Sequence, residues 1–280
     1  MVVSNRIKNT TVSAIRKLTP YANEAKAKGM KVYHMNIGQP DLPTPKEYFD
    51  SLKKYNKKVL GYESSEGCDE LRQNFSDFLK IHDIDYAKEE ILITNGGSEA
   101  LLFIFLSICD EGDEIIVPEP YYSNYNTIAN SCGVVLVPFK TKIEDGFHIK
   151  DKDLISKAVT KKTKAILYSN PSNPTGVVYS LKELELLAEV ALENELFIIS
   201  DEVYRELVYD NIQYKSIFSI EKVRNNLILV DSLSKRYSVC GSRIGMVASK
   251  NFELMKEILK LCQSRLSISS VEQFTAINLL

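Results

Sequence analysis

Tryptophan is absent from the 280 residues, and histidine occurs only three times, at His34, His82 and His148. There is no HxxxH and no CxxC. A metal centre needs ligands at close, regular spacing, so no metal is expected. The five cysteines, Cys68, Cys109, Cys132, Cys240 and Cys262, are odd in number and widely scattered. That excludes a disulfide framework and fits a reducing, cytoplasmic setting. Long apolar runs are missing as well. "ALLFIFLSIC", residues 100–109, is half the length a membrane-spanning helix needs. "MVVSNRIKNTTVSAIRKL" has no continuous apolar core and is not a secretory leader. Charge of one sign is not in excess, the net value being −2. The lysine runs "KKYNKK" and "KKTK" are interrupted and read as solvated faces. Neither nucleic acid nor an anionic membrane is expected as the main partner.

What is present is an alternation. From residue 90 onward, apolar runs of strand length are separated by segments of helix length. "EILIT" (90–94) precedes "SEALLFIFLSIC" (98–109), which is apolar nearly all round and reads as a buried helix. "EIIVPEP", "VVLVPF", "KAILYSNP", "LFIIS" and "NLILV" read as further strands, and "NYNTIANSCG" as a short helix. "SLKELELLAEVALENE" (180–195) is a helix with a capping box, Ser180 to Glu183, and apolar positions Leu181, Leu184, Leu187, Ala188 and Ala191. Continuous apolar strands between helices predict an α/β fold: a three-layer α/β/α domain around a mostly parallel sheet. Ligands of such sheets bind beyond the carboxyl ends of the strands. Five polar, turn-rich clusters fall at those ends: "NGGSEA", "PEPYYSNY", "SNPSNPTG", "SDEVY" and "DSLSKRYSVCGSRIG".

Each cluster has a bland reading and a chemical one. Gly96 and Gly97 permit close backbone approach before a helix whose first N–H groups point out unpaired. That geometry suits a phosphate, though it also describes an ordinary strand-to-helix turn. "SNPSNPTG" is stiffened by two Asn-Pro pairs, which either make a rigid loop or hold Asn173 toward a ligand. Asp201, directly after a buried strand, needs a positive partner. It is a helix cap or ion-paired residue, or it faces a cationic ring nitrogen. Lys235 follows the run "NLILV" with Ser232 and Ser234 before it and Arg243 behind it. A lysine at a strand end is a better nucleophile toward carbonyls when desolvated, and the serines and arginine supply donors for a dianion. Lysine, phosphate site and buried aspartate together describe a site for pyridoxal 5'-phosphate held covalently by the lysine.

These residues resemble a known family. "IGQPDLPTP", "GYESSEG", "NGGSEAL", "SNPSNPTG", "SDEVY" and "SLSKRYSVCGSRIG" stand in the order and at the approximate spacing of the class I/II aminotransferases of fold type I, in the aspartate aminotransferase superfamily. The resemblance implies an aminotransferase moving an amino group between an L-amino acid and a 2-oxo acid. It implies Lys235 as covalent anchor, Asp201 on the pyridine nitrogen, and Tyr204 and Asn173 on the ring 3'-oxygen. Asn173 would also touch the substrate carboxylate, and Gly38 would offer it backbone. Tyr122 would stack on the ring, with Tyr121 as the competing position. Gly97, Ser98, Ser232, Ser234 and Arg243 would hold the phosphate. Tyr62 would reach the phosphate of a partner subunit in a homodimer whose sites lie at the interface.

The resemblance also divides the chain. Residues 1–45 are expected to serve a small domain and dimer contacts, and residues 46–280 to form the large cofactor domain. The C-terminal small domain, with the arginine that pairs with the substrate α-carboxylate, is expected to lie outside this sequence. A tyrosine at the stacking position leaves aspartate, aromatic and alanine-type donors open. Two other outcomes carry related residues: a C–S β-lyase with the same cofactor, and an aminotransferase-like effector domain of a transcription regulator. Only residues 1–37 precede Gly38, little room for a helix-turn-helix.

Overall fold

The computed structural model describes residues 1–8, 10 and 15–280. Residues 9 and 11–14, part of the N-terminal segment, lie outside the described residues. A single seven-stranded sheet organises the chain. Its strands are β1 (Ile91–Asn95), β2 (Glu114–Glu119), β3 (Val135–Lys140), β4 (Thr163–Ser169), β5 (Phe197–Asp201), β6 (Leu227–Ser232) and β7 (Ile244–Ala248). They lie in the order β1-β7-β6-β5-β4-β2-β3. All neighbours from β6 to β3 are parallel, whereas β7 runs antiparallel to both β6 and β1.

The apolar runs are continuous because both sheet faces are covered. One face carries Leu71, Phe75 and Leu79 of the helix Asp69–Ile81, with Leu184, Leu187 and Ala188 of the helix Leu181–Glu193. The other carries Ala100, Ile104 and Phe105 of the helix Gly97–Ile108, with Ile258 and Cys262 of the helix Phe252–Arg265. This is the α/β/α arrangement anticipated from the alternation. No helix among the described residues is long and apolar enough to cross a membrane.

The expected capping box is present and does more than end a helix. The Ser180 Oγ accepts the N–H of Glu183 at 3.4 Å, and the Glu183 carboxylate accepts the N–H of Ser180 at 2.8 Å. Glu183 is itself buried and also takes the N–H of Ile149 at 2.7 Å and faces the His148 ring at 2.9 Å. It therefore ties the helix to the chain entering from β3.

The strand β7 was not anticipated. "IGMVA" sits at the tail of a turn-rich cluster and is only five residues long. Its direction has a functional result: an antiparallel strand inserted between β6 and β1 begins at the edge where its neighbours end. Arg243, just before β7, is thus delivered to the carboxyl edge of the sheet.

Ser180→Ala should cost about 1 kcal/mol of stability, the usual loss for a helix N-cap. Glu183→Ala should cost clearly more, because it leaves buried donors unpaired. Urea unfolding of the three proteins gives the order directly; equal midpoints for both variants would contradict it.

Candidate active site

The carboxyl edge of the sheet is where the five clusters meet. At the end of β1 the backbone turns at Gly96, with φ of 73° and ψ of 172°, a conformation open to glycine. A Cβ there would sit 2.3 Å from the Arg243 Nη2. A Cβ at Gly245 would sit 2.6 Å from the Gly96 carbonyl carbon. Thr94, Gly245 and Ser232 are register partners across β1, β7 and β6, so Ser232 stands beside this contact. Arg243, with φ of 57°, donates to the carbonyls of Cys240 at 3.1 Å and Asn95 at 3.3 Å. The helix Gly97–Ile108 starts here with no side-chain cap bond. Gly97, Ser98, Arg243 and the buried Ser232 thus stand at one helix N-terminus, where N–H groups and the helix dipole favour an anion, and the buried Ser234 gives its N–H to the Ser232 hydroxyl at 3.2 Å.

Asp201 ends β5 and is 8% exposed. Its Oδ2 accepts the phenol O–H of Tyr125 at 2.7 Å, and its Oδ1 the N–H of Val203 at 3.3 Å. Burial, the largest influence, pushes its pKa up to about 6; the Tyr125 and Val203 bonds pull it down, and the nearby Asp231 and Glu202 add to the rise. Among the described residues, none of its hydrogen-bond partners is a cation. The sequence offers Asp201 a helix cap, an ion pair or a ring nitrogen to face; its bond to Val203 caps a turn rather than a helix, and it forms no ion pair among the described residues.

The Asn173 Nδ2 donates to the Tyr204 hydroxyl at 3.2 Å, joining the Asn-Pro loop to the segment after β5. Burial, then the charge of Asp201, pushes the Tyr204 phenol up to about 12. Tyr122 meets Tyr125 edge-on at 5.4 Å and lies within the field of Asp201, Arg243 and Arg16. Tyr121 instead spends its hydroxyl on Asn126 at 3.1 Å. The Lys235 Nζ donates to the carbonyl of Gly38 and lies 3.9 Å from the Cys240 Sγ. Gly38 and the lysine, 197 positions apart in sequence, are therefore neighbours. Tyr62 is the exception, standing 81% exposed.

Tyr125 was missed by sequence reasoning. The available signal was a third tyrosine in "PEPYYSNY", one helical turn past Tyr122, where a buried phenol must find an acceptor. Cys240, beside the lysine, had no signal.

The sequence profile described as aminotransferase class I and II matches residues 30–280. The chain belongs to the class I and II aminotransferases. This aminotransferase is 34% identical to an aspartate aminotransferase from a Bacillus species, over 99% of its own length and 71% of the relative's. A probable aspartate/prephenate aminotransferase from Aquifex aeolicus is 35% identical over the same shares. Among solved structures, the aspartate aminotransferase from Thermus thermophilus with maleate superposes with a TM-score of 0.91 at 29% identity, covering 99% of this chain and 72% of that one. An alanine aminotransferase from Pyrococcus furiosus gives 0.91 at 33% identity, with coverage of 99% and 72%.

Aminotransferases of this family use pyridoxal 5'-phosphate, and the residues present fit it. A buried carboxylate without a countercharge suits a protonated ring nitrogen. The glycine-lined cup with Arg243 suits a phosphate, and a lysine at the same sheet edge suits the aldehyde carbon.

A raised carboxyl pKa has a definite sign in the stability of the cofactor-free protein. The folded state holds a proton on Asp201 that the unfolded chain has lost, so stability falls as pH rises from about 4 to 6. The loss should approach about 3 kcal/mol for a shift of this size. Asp201→Asn should flatten that window in unfolding experiments run at a series of pH values; an unchanged slope would show that the group responsible lies elsewhere.

Proposed function

We propose that this aminotransferase transfers the amino group between an aspartate-type or related L-amino acid and a 2-oxo acid, with the site residues named above in catalytic roles. The observation that carries the reading is Asp201, buried at a strand end, paired with no cation among the described residues and lying at the same edge as Lys235 and Arg243. Pyridoxal 5'-phosphate, when bound, supplies a ring that withdraws electrons from the substrate α-carbon. Asp201 would keep the ring nitrogen protonated, the state in which a ring withdraws electrons best. Tyr204 and Asn173 would hold the 3'-oxygen, and Tyr122 would cover one ring face. Gly97, Ser98, Ser232, Ser234 and Arg243 would bind the phosphate and fix the position of the reacting carbon. The Lys235 Nζ would anchor the cofactor and then take the proton from the substrate α-carbon. Gly38 and Asn173 would orient the substrate carboxylate.

Residues 46–280 are proposed as the large cofactor domain, with residues 1–45 serving contacts to a second copy and a small domain. The exposure of Met35 (93%), Leu42 (74%), Val59 (76%) and Leu60 (70%) supports a homodimer covering this surface. Tyr62, beside them, would then reach the partner's phosphate. A cytoplasmic location is supported by five free cysteines.

Borohydride reduction of the cofactor-loaded protein should leave the pyridoxyl mass on the peptide containing Lys235. Asp201→Ala should keep the fold and lose rate equivalent to about 2.7–4 kcal/mol, the usual cost of deleting one electrostatic contact to the transition state. An amino-acid panel scored for 2-oxo acid gives the donor. Label on another lysine, or ammonia with pyruvate as products, would overturn the assignment.

A further inference from the structure

Behind Asp201 and Lys235 lies a group of four charges that the proposed chemistry does not use. Asp231 is fully buried within the last turn of β6, and Glu202 is fully buried next to Asp201. Arg205 donates to Glu202 Oε2 from Nε at 3.1 Å and from Nη2 at 2.9 Å, and to Asp231 Oδ2 from Nη1 at 3.0 Å. Arg236, the residue after Lys235, donates from Nη2 to both oxygens of Asp231, at 2.9 and 3.1 Å. The Asp231 Oδ1 also accepts the N–H of Ser232 at 2.7 Å. Glu202 is completed by the hydroxyls of Ser200 at 2.9 Å and Ser216 at 2.7 Å. The group is electrically neutral, with two arginines and two carboxylates.

Buried ion clusters of this kind rarely add net stability over an apolar core, since desolvation cancels most of the attraction. Their value lies in fixed geometry. Here the geometry joins two segments that the reaction needs in register. Arg205 belongs to the turn that carries Asp201 and Tyr204. Arg236 belongs to the turn that carries Ser234 and Lys235. Both converge on the one carboxylate of Asp231, which also pins Ser232.

We propose that Asp231 is a positioning residue: held between Arg205 and Arg236, it fixes the lysine turn relative to the segment bearing the ring-facing carboxylate. The proposal rests on the functional reading above for its catalytic consequence, but the position of the lysine can be read without the cofactor. A carboxylate shared by two guanidiniums tolerates little displacement, because each bond is directional and no water is available to replace it. Loss of the clamp frees the Lys235 turn while the sheet beneath, held by its own ladder, stays in place.

The test uses the full chain and a charge-balanced pair of substitutions, D231N with R236Q, which removes one positive and one negative charge together. The double variant should fold. In the cofactor-free protein, Lys235, released from Gly38, should be acetylated faster than in the parent, relative to surface lysines, as read by peptide mass spectrometry. In the loaded enzyme kcat should fall about a hundredfold, the cost of misplacing a reacting group by about 1 Å, with KM little changed. Should the double variant not fold, R236Q alone keeps Asp231 on Arg205 and tests the lysine arm, with the same direction expected. A folded variant with parental Lys235 reactivity and parental kcat would overturn the proposal. If the parent protein takes no pyridoxyl label on Lys235, the functional reading fails, whereas the acetylation result judges the positioning claim by itself.

Discussion

Gly245 lies against the backbone of Gly96, and the site is assembled around that contact. A side chain at Gly245 has no room, because it would meet the Gly96 backbone, and one at Gly96 would displace the Arg243 guanidinium. Only because β7 runs antiparallel between β1 and β6 does its first residue arrive where the parallel strands finish. The reversal places Arg243 over the Gly96 turn, Ser232 beside it, and the N-terminus of the helix Gly97–Ile108 below. An all-parallel sheet would have carried the arginine to the opposite edge. The left-handed backbone at Arg243, with φ of 57°, accompanies this tight entry into the strand.

The second organising feature is electrostatic. The edge of the sheet holds three buried carboxylates close together, on Asp201, Glu202 and Asp231. Two of them are fully neutralised by Arg205 and Arg236, and the third is left with a phenol and a backbone N–H. That unequal distribution is what supports the chemical role proposed for Asp201. A carboxylate already paired with arginine would have no charge to offer a ring nitrogen. Burial keeps the field of Asp201 undiluted, and Tyr125 aims its Oδ2 without neutralising it. Lys235 meanwhile rests on the Gly38 carbonyl, so the N-terminal segment and the lysine turn are in contact.

Much of this was legible beforehand. Strand and helix periods were clear because the sheet is covered on both faces, and the motifs fall at strand ends because parallel topology puts them there. Asp201, Asn173, Lys235 and Arg243 stand out at those strand ends, and Tyr204 through the family resemblance; the structure joins Asn173 to Tyr204, Lys235 to Gly38, and Arg243 to the Gly96 turn. What sequence could not give was pairing across distance. The strand β7 is short and follows a turn, so its apolar residues read as the tail of a loop. Tyr125 looks like any helix residue until β5 is placed next to it. Arg205, Asp231 and Arg236 look like ordinary surface charges, since charged side chains usually are, and only the fold buries them. Tyr62 illustrates the opposite case. Its assignment depends on a second copy, and within one chain it is simply exposed.

The central claim is that the Gly96–Gly245 contact builds a phosphate-binding cup. Its most direct test is the affinity for pyridoxal 5'-phosphate, and separately for inorganic phosphate, of the parent protein and of Gly245→Ala, followed by absorbance and calorimetry. The methyl group must push β7 away from the Gly96 turn, so both ligands should bind more weakly, by about tenfold or more for a loss of 1.4 kcal/mol or above. The folded variant should keep its far-UV signature. Parental affinity for both ligands in folded Gly245→Ala would contradict the claim and place the phosphate elsewhere.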